Sequence, residues 1–339
     1  MEAYLPRTRR SLKFLSKLCQ QDKEVTSQES SLCLFESILH NETATFFAGG
    51  PIWASAFCPL EGRNDDHVIA LYAEQTFDSE SYICPTKESV SDRINSLIQL
   101  WSFRKTKTGC DPPVFLMGIA HDFGRVRSLQ WCPSGGQSDT GNGLPRIGLL
   151  AAGCEDGTVR IFTVPEYDSI PKTDPTVRHN IFKCDDAVVT LRRPDDDEDR
   201  LNPTVKVAWF RGRGHRVIAA SFADGHVGLW DLDTTSSLLR DEETRTIYPY
   251  RFFRAHCRNN QTFLDLSTES DESGFPLYLA TGSTDRMFTS WDLGSSVSVG
   301  EIPVRECRRM FITDVAWLNH FPGNATVSHD DSCLQTNTR

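Results

Sequence analysis

His121 with Asp156, and His256 with Asp285, are the histidine–aspartate combinations that catch the eye in this chain. An imidazole oriented by a carboxylate is the general-base half of a nucleophilic relay. No nucleophile motif accompanies them. G-x-S-x-G, H-E-x-x-H, the Walker P-loop and G-x-G-x-x-G are all absent, and "GNGLPRIG" (141–148) has the wrong glycine spacing and no helical pattern after it. A second chemistry is offered by "RGRGHR" (211–216), where two glycines would let the backbone approach a phosphate, so Arg211, Arg213 and Arg216 are candidate phosphate contacts. The acidic run Asp195, Asp196, Asp197, Glu198 and Asp199 would attract a cation weakly, and reads as a solvated loop. Eleven scattered cysteines contain no C-x-x-C pair, so neither a zinc site nor a disulfide framework is expected. No catalytic, cofactor-binding or metal-binding residue is expected, and no small-molecule substrate.

The elements around these residues recur. "ADGHVGLWDL" (223–232) has counterparts in "EDGTVRIFTV" (155–164), "TDRMFTSWDL" (284–293) and, more weakly, "INSLIQLWSF" (94–103). In each a turn residue (Asn95, Asp156, Asp224, Asp285) stands six positions before an aromatic (Trp101, Phe162, Trp230, Trp291), with apolar residues alternating between them. That alternation is the pattern of a half-buried strand, and Asp-Gly favours a two-residue hairpin turn. A second alternating strand recurs upstream as "IWASAFCP", "VRSLQWCP", "TVKVAWFR", "TFLDLSTE" and "ITDVAWLN". Small-residue strands, "GLLAAGC", "VIAASF" and "YLATGS", precede the turns. All seven tryptophans fall on these strands. Repetition of this kind predicts an all-β chain built as a β-propeller.

The aromatic positions 101, 162, 230 and 291 lie 61, 68 and 61 residues apart. A propeller blade repeats at roughly 40–45 residues, so each unit must carry a long insertion. Polar stretches such as "SGGQSDTGNGLPR", "RRPDDDEDRLNP" and "TESDESG" supply them. About four and a half units are legible, so an incomplete ring and a truncated form are expected. Residues 1–45 read as an N-terminal segment, partly disordered or contributing a strand, 46–331 as the propeller, and 332–339 as a polar tail.

A net charge of −10 over 339 residues argues against a protein wrapped in nucleic acid, while leaving room for a local basic face. No apolar run is long enough to cross a membrane, and the N-terminus lacks the apolar core of a secretory signal.

The repeat resembles the WD-repeat form of the propeller. In that family an Ala-His or Gly-His pair opens the repeat and its imidazole bonds the Asp of the later hairpin turn. Ala120-His121, Ala255-His256, Trp230-Asp231 and Trp291-Asp292 match. The resemblance implies that His121, Asp156, Asp224, Trp230, His256, Asp285 and Trp291 are structural staples of the blades, not a relay. Longer stretches, including "YLPRTRRSLKF", "FFAGGPIWASAFCP", "GIAHDFGRVRSLQWCPSGG" and "YPYRFFRAH", resemble the WD-repeat propeller subunit of the general transcription factor TFIIIC. That implies a nuclear, non-catalytic scaffold that binds other TFIIIC subunits. Such a scaffold supports B-box promoter recognition and RNA polymerase III transcription of tRNA genes, and touches DNA indirectly. A ubiquitin-ligase substrate receptor is the alternative, but those receptors carry an Arg where this chain has Asp233 and Gly294.

Overall fold

The computed structural model describes residues 4–5, 11–17, 27–40, 43–59, 66–74, 95–106, 109–138, 144–170, 179–194, 202–257, 261–294, 297–303, 311–318, 323–330 and 334–338. Among these residues there is no α-helix, and Tyr167–Ser169 forms a short 3-10 segment. The fold is all-β, built from sheets whose first strands pair antiparallel in chain order, the blade form of a propeller, with two short parallel strands added at their edges. The chain divides into two compact units, residues 1–79, 95–122 and 171–185 in one, and 80–94, 123–170 and 186–339 in the other.

The first unit contains one large sheet. Its strands are Ile52–Phe57, Asp66–Ala73, Ser96–Thr106 and Val114–His121, with Ile181–Lys183 added outside in parallel. Two hairpins accompany it, Ser11–Lys17 with Ser27–Cys33 and Ser37–His40 with Thr43–Phe46. Its core gathers Tyr4, Phe35, Leu71, Leu97 and Trp101. The Trp101 indole donates to Gln99 at 3.1 Å, and the Gln99 amide donates to the Ala48 carbonyl at 2.8 Å, so both buried polar groups are satisfied. The sequence placed a tight turn at Asn95. Instead Asp66–Ala73 pairs with Ser96–Thr106 across residues 75–94, so the long insertion of this repeat falls inside the hairpin.

Among the described residues the second unit holds four sheets. The second sheet comprises Val126–Trp131, Arg146–Cys154, Val159–Pro165 and Val189–Leu191, extended by Thr246–Ile247 and Arg240–Asp241. The third is Thr204–Trp209, Val217–Phe222, His226–Asp231 and Arg251–Arg254. The fourth is Thr262–Leu266, Tyr278–Ser283, Met287–Asp292 and Val297–Pro303. The fifth is Ile312–Trp317, Asn324–His329 and Leu334–Thr338. The last strand lies within the residues read as a polar tail, because ladder pairing is a backbone property and needs no apolar side chain.

Period-two alternation explains how the sheets stack. Every residue of Val217–Phe222 is buried. Ile218, Ala220 and Phe222 join one core with Ile161, Leu191, Trp209 and Trp230, while Val217 and Ala219 join another with Phe210, Leu264 and Leu279. A third core holds Ala280, Phe288, Ile312 and Trp317. A strand covered on both faces loses the alternating polar signature, which is why these segments read as apolar runs. Burying one tryptophan contributes about 4–6 kcal/mol at ~25 cal/mol per Å². A net hydrogen bond contributes about 1 kcal/mol. The aromatics therefore drive the stacking, and polar contacts choose the register.

The hairpin turns differ from the two-residue form. Gly157 N–H donates to Cys154, Gly225 to Phe222 and Arg286 to Ser283, each closing a four-residue turn whose last residue is left-handed (φ 80°, 86° and 68°). At Gly225 a Cβ would lie 2.5 Å from the His256 carbonyl oxygen. At Gly214, with φ 84°, a Cβ would meet nothing within 4 Å. Both positions disfavour an L side chain by about 1–2 kcal/mol through φ alone. Gly225→Ala should therefore lower Tm at least twice as far as Gly214→Ala in paired thermal melts. Equal losses would mean the backbone clash relaxes away.

Candidate functional site

Asp156, Asp224 and Asp285 occupy the same place, the third residue of the hairpin turn. In each, Oδ1 accepts the backbone N–H two residues on, from Thr158 (3.0 Å), His226 (3.2 Å) and Met287 (2.9 Å). A carboxylate suits this because it closes the turn with one oxygen and leaves the other to accept a second donor. What takes that second oxygen differs from sheet to sheet.

In the fourth sheet it is His256. Its Nδ1 lies 3.0 Å from Asp285 Oδ2 and its Nε2 lies 2.9 Å from Thr281 Oγ1. The Trp291 indole N–H donates to the same hydroxyl at 2.8 Å. The carboxylate can only accept, so Nδ1 carries a proton, and His256 Nε2 and the Thr289 carbonyl, 3.4 Å away, are both in reach of the Thr281 hydroxyl. The sequence found His256, Asp285 and Trp291. Thr281 was missed because a threonine in a small-residue strand carries no motif.

In the third sheet the partner is Arg193, whose Nη2 donates to Asp224 Oδ2 at 2.9 Å. The buried guanidinium lies 5.1 Å from the Phe222 ring centre and 5.3 Å from that of Phe252. The Trp230 indole donates to the Arg192 carbonyl at 3.2 Å. Arg193 follows Val189–Leu191 by two residues, as His256 follows Arg251–Arg254 by two. That shared position was the available signal, and it was hidden because "RRPDDDEDR" reads as a solvated insertion. In the second sheet Asp156 takes Thr158 Oγ1 at 2.6 Å and Arg160 at 2.8 Å. Phe162 stands where the other sheets have tryptophan and brings no indole N–H to satisfy. His121, the last residue of Val114–His121, is fully buried in the first unit, and Asp156 belongs to the second.

The same residues in a hydrolase would need an open face and a nucleophile. Here the His256 side chain is 1% exposed and each of its ring nitrogens has a partner. The geometry is that of a hold between a sheet and the segment entering it.

The Arg211–Arg216 loop follows the first strand of the third sheet. Arg211 and Arg213 are exposed. Arg216 is not: its guanidinium binds Asp231 through Nε at 2.8 Å and through Nη2, and sits 4.6 Å from the Phe275 ring centre. Its charge is committed within the fold, which takes it out of the candidate phosphate contacts. The acidic run 195–199 lies outside the described residues.

Comparison with known proteins agrees with this geometry. A family model described as "WD domain, G-beta repeat" matches residues 115–163, which take in the last strand of the first sheet and three strands of the second. The chain is similar to General transcription factor 3C polypeptide 2 of Pongo abelii and of Homo sapiens. Each is 29% identical over 306 residues, covering 85% of this chain and 32% of the relative. It is also similar to Transcription factor tau subunit sfc6 of Schizosaccharomyces pombe, 28% identical over 193 residues, covering 55% of this chain and 28% of the relative. The chain thus spans about a third of the length of the curated relatives it matches.

Two outcomes test the staples. Thr281→Val keeps the shape and removes the hydroxyl, leaving the Trp291 N–H and a His256 nitrogen unsatisfied. It should cost about 1–3 kcal/mol in denaturant unfolding, and adding Trp291→Phe should cost less than the sum of the two singles. The second outcome concerns acid. Burial opposes ionisation of Asp285 and Asp224, but His256, Arg193, His226 and the turn amides outweigh it and hold both carboxyls below their usual range. A depressed carboxyl stabilises fully above the unfolded value of about 3.9 and loses that contribution as pH falls through the folded value. Stability should therefore drop below about pH 4, and Asp285→Asn should flatten that acid limb in melts recorded from pH 7 to pH 3.

Proposed function

We propose that this chain, a WD-repeat relative of general transcription factor 3C polypeptide 2, is a non-catalytic scaffold in a TFIIIC-type assembly in the nucleus. In this reading it supports B-box recognition and RNA polymerase III transcription of tRNA genes through contacts with the other subunits. The observation that carries the reading is the similarity running over 85% of the chain. Stacked sheets with shared apolar cores make a stiff frame, and the loops between strands are where such a frame meets partners. In this reading Asp224, Trp230, His256, Asp285 and Trp291 serve that frame as staples.

One feature favours direct DNA contact as a second reading. Arg211 and Arg213 stay exposed on a glycine-containing loop, where phosphate oxygens would find two donors. Each phosphate contact contributes about one unit to the salt dependence of binding.

The tagged chain, recovered from nuclear extract, should bring down the other TFIIIC subunits identified by mass spectrometry. Recovery of chaperones alone would sink the scaffold reading. On a B-box duplex, Arg211→Glu with Arg213→Glu should leave affinity and salt slope unchanged if DNA contact is indirect. A slope reduced by about two would favour the second reading.

A further inference from the structure

The outer edges of the sheets are treated unequally. Ile181–Lys183 lies in sequence between the third and fourth strands of the second sheet, yet pairs in parallel with the fourth strand of the first. Gly118 N–H donates to Asn180 O, and Cys184 N–H to Ala120 O, both at 2.8 Å. Thr246–Ile247 lies between the third and fourth strands of the third sheet, yet pairs in parallel with the fourth strand of the second. There the amides of Thr190 and Arg192 donate to Arg245 O and Ile247 O at 3.0 Å. In both cases the connection inside one sheet covers the edge of the sheet before it. The corresponding connection of the fourth sheet is only residues 293–296. Among the described residues no strand covers the third sheet's outer edge, Arg251–Arg254.

The register says what that edge offers. Gly228 pairs with Phe252 as Arg160 pairs with Thr190, and Val227 with Phe253 as Val159 with Leu191. The amides of Phe252 and Arg254 thus hold the outward positions that Thr190 and Arg192 hold in the covered sheet. The two phenyl rings are spent inward, Phe252 stacked on His226 at 5.0 Å and Phe253 against Trp291 at 4.9 Å. What remains outside is backbone, with Arg254 exposed beside it and Arg251 half-buried, its guanidinium donating to the Leu293 carbonyl.

We propose that Arg251–Arg254 is a docking edge for one extended, acid-bearing segment of a partner polypeptide, added as a parallel strand with a carboxylate facing Arg254. The two internal strands show that these edges accept a parallel segment, and the arginine sets the sign of the partner's charge. A second copy of this chain does not fit. Antiparallel pairing of R-F-F-R about a two-fold axis sets Arg251 of one copy against Arg254 of the other, and like charges across a ladder repel. The site deepens the scaffold reading and rests on it.

The test is amide hydrogen exchange of the full chain with two peptides, acetyl-Glu-Val-Glu-Val-Glu-Val-amide and its lysine counterpart. The acidic peptide should slow exchange across 251–254, and Arg254→Glu should weaken its binding at least tenfold with Tm unchanged. Arg254→Pro removes the outward donor at an edge position that tolerates proline, and should weaken binding as much. Four results overturn the proposal. They are no slowing, equal slowing by the lysine peptide, slowing retained in Arg254→Glu, or slowing by raised protein concentration alone, which would mean self-pairing. Failure here leaves the recovery of TFIIIC subunits as a separate result, so the edge and the scaffold fail independently.

Discussion

A carboxylate at the third position of the hairpin turn, Asp224 in the third sheet and Asp285 in the fourth, is the point on which the packing of these two sheets depends. One oxygen closes its own turn, and the other holds a donor from the segment that has just left the sheet before. Asp285 holds His256 and Asp224 holds Arg193 in this way. Both donors sit two residues beyond a fourth strand, so each bond fixes where the chain enters the next sheet. The bond is short-ranged and buried, and it links residues about thirty apart. An imidazole and a guanidinium serve equally because the carboxylate asks only for an N–H at the right place.

The aromatics supply the larger energy but little direction. Trp209, Trp230 and Phe222 would pack in several registers against the small residues of a neighbouring strand. Polar contacts between sheets narrow the choice. Thr204 Oγ1 donates to Thr158 O at 3.1 Å, Ser221 Oγ donates to Thr262 O, and Val207 N–H donates to Ser128 Oγ at 3.0 Å. Asp265 shows the cost of such ties. Burial raises its pKa, although it accepts the backbone N–H of Trp317 at 2.9 Å and feels the charges of Arg211 and Lys206.

Insertions in this chain do more than lengthen loops. Two of them return a short strand to the outer edge of the preceding sheet, converting a hazard for non-specific pairing into internal structure. A loop can grow at small entropic cost, so this device is cheap to acquire. It also sets the uncovered edge of the third sheet apart from its neighbours.

Periodicity in the sequence determined the class of the fold, the strands and the hairpin positions, since a strand with a buried face must alternate and a turn needs Asp and a left-handed residue. It also marked Asp285 and Trp291, while His256 came from the resemblance to the WD repeat, in which an Ala-His pair opens the blade. Arg193 and Thr281 were not legible, the first inside a charged stretch and the second among small residues. The lone turn at Asn95, the strand within 332–339 and the commitment of Arg216 to Asp231 were likewise decided in space. Backbone pairing and long-range ion pairs join residues that share no local pattern, so only the tertiary structure could choose them.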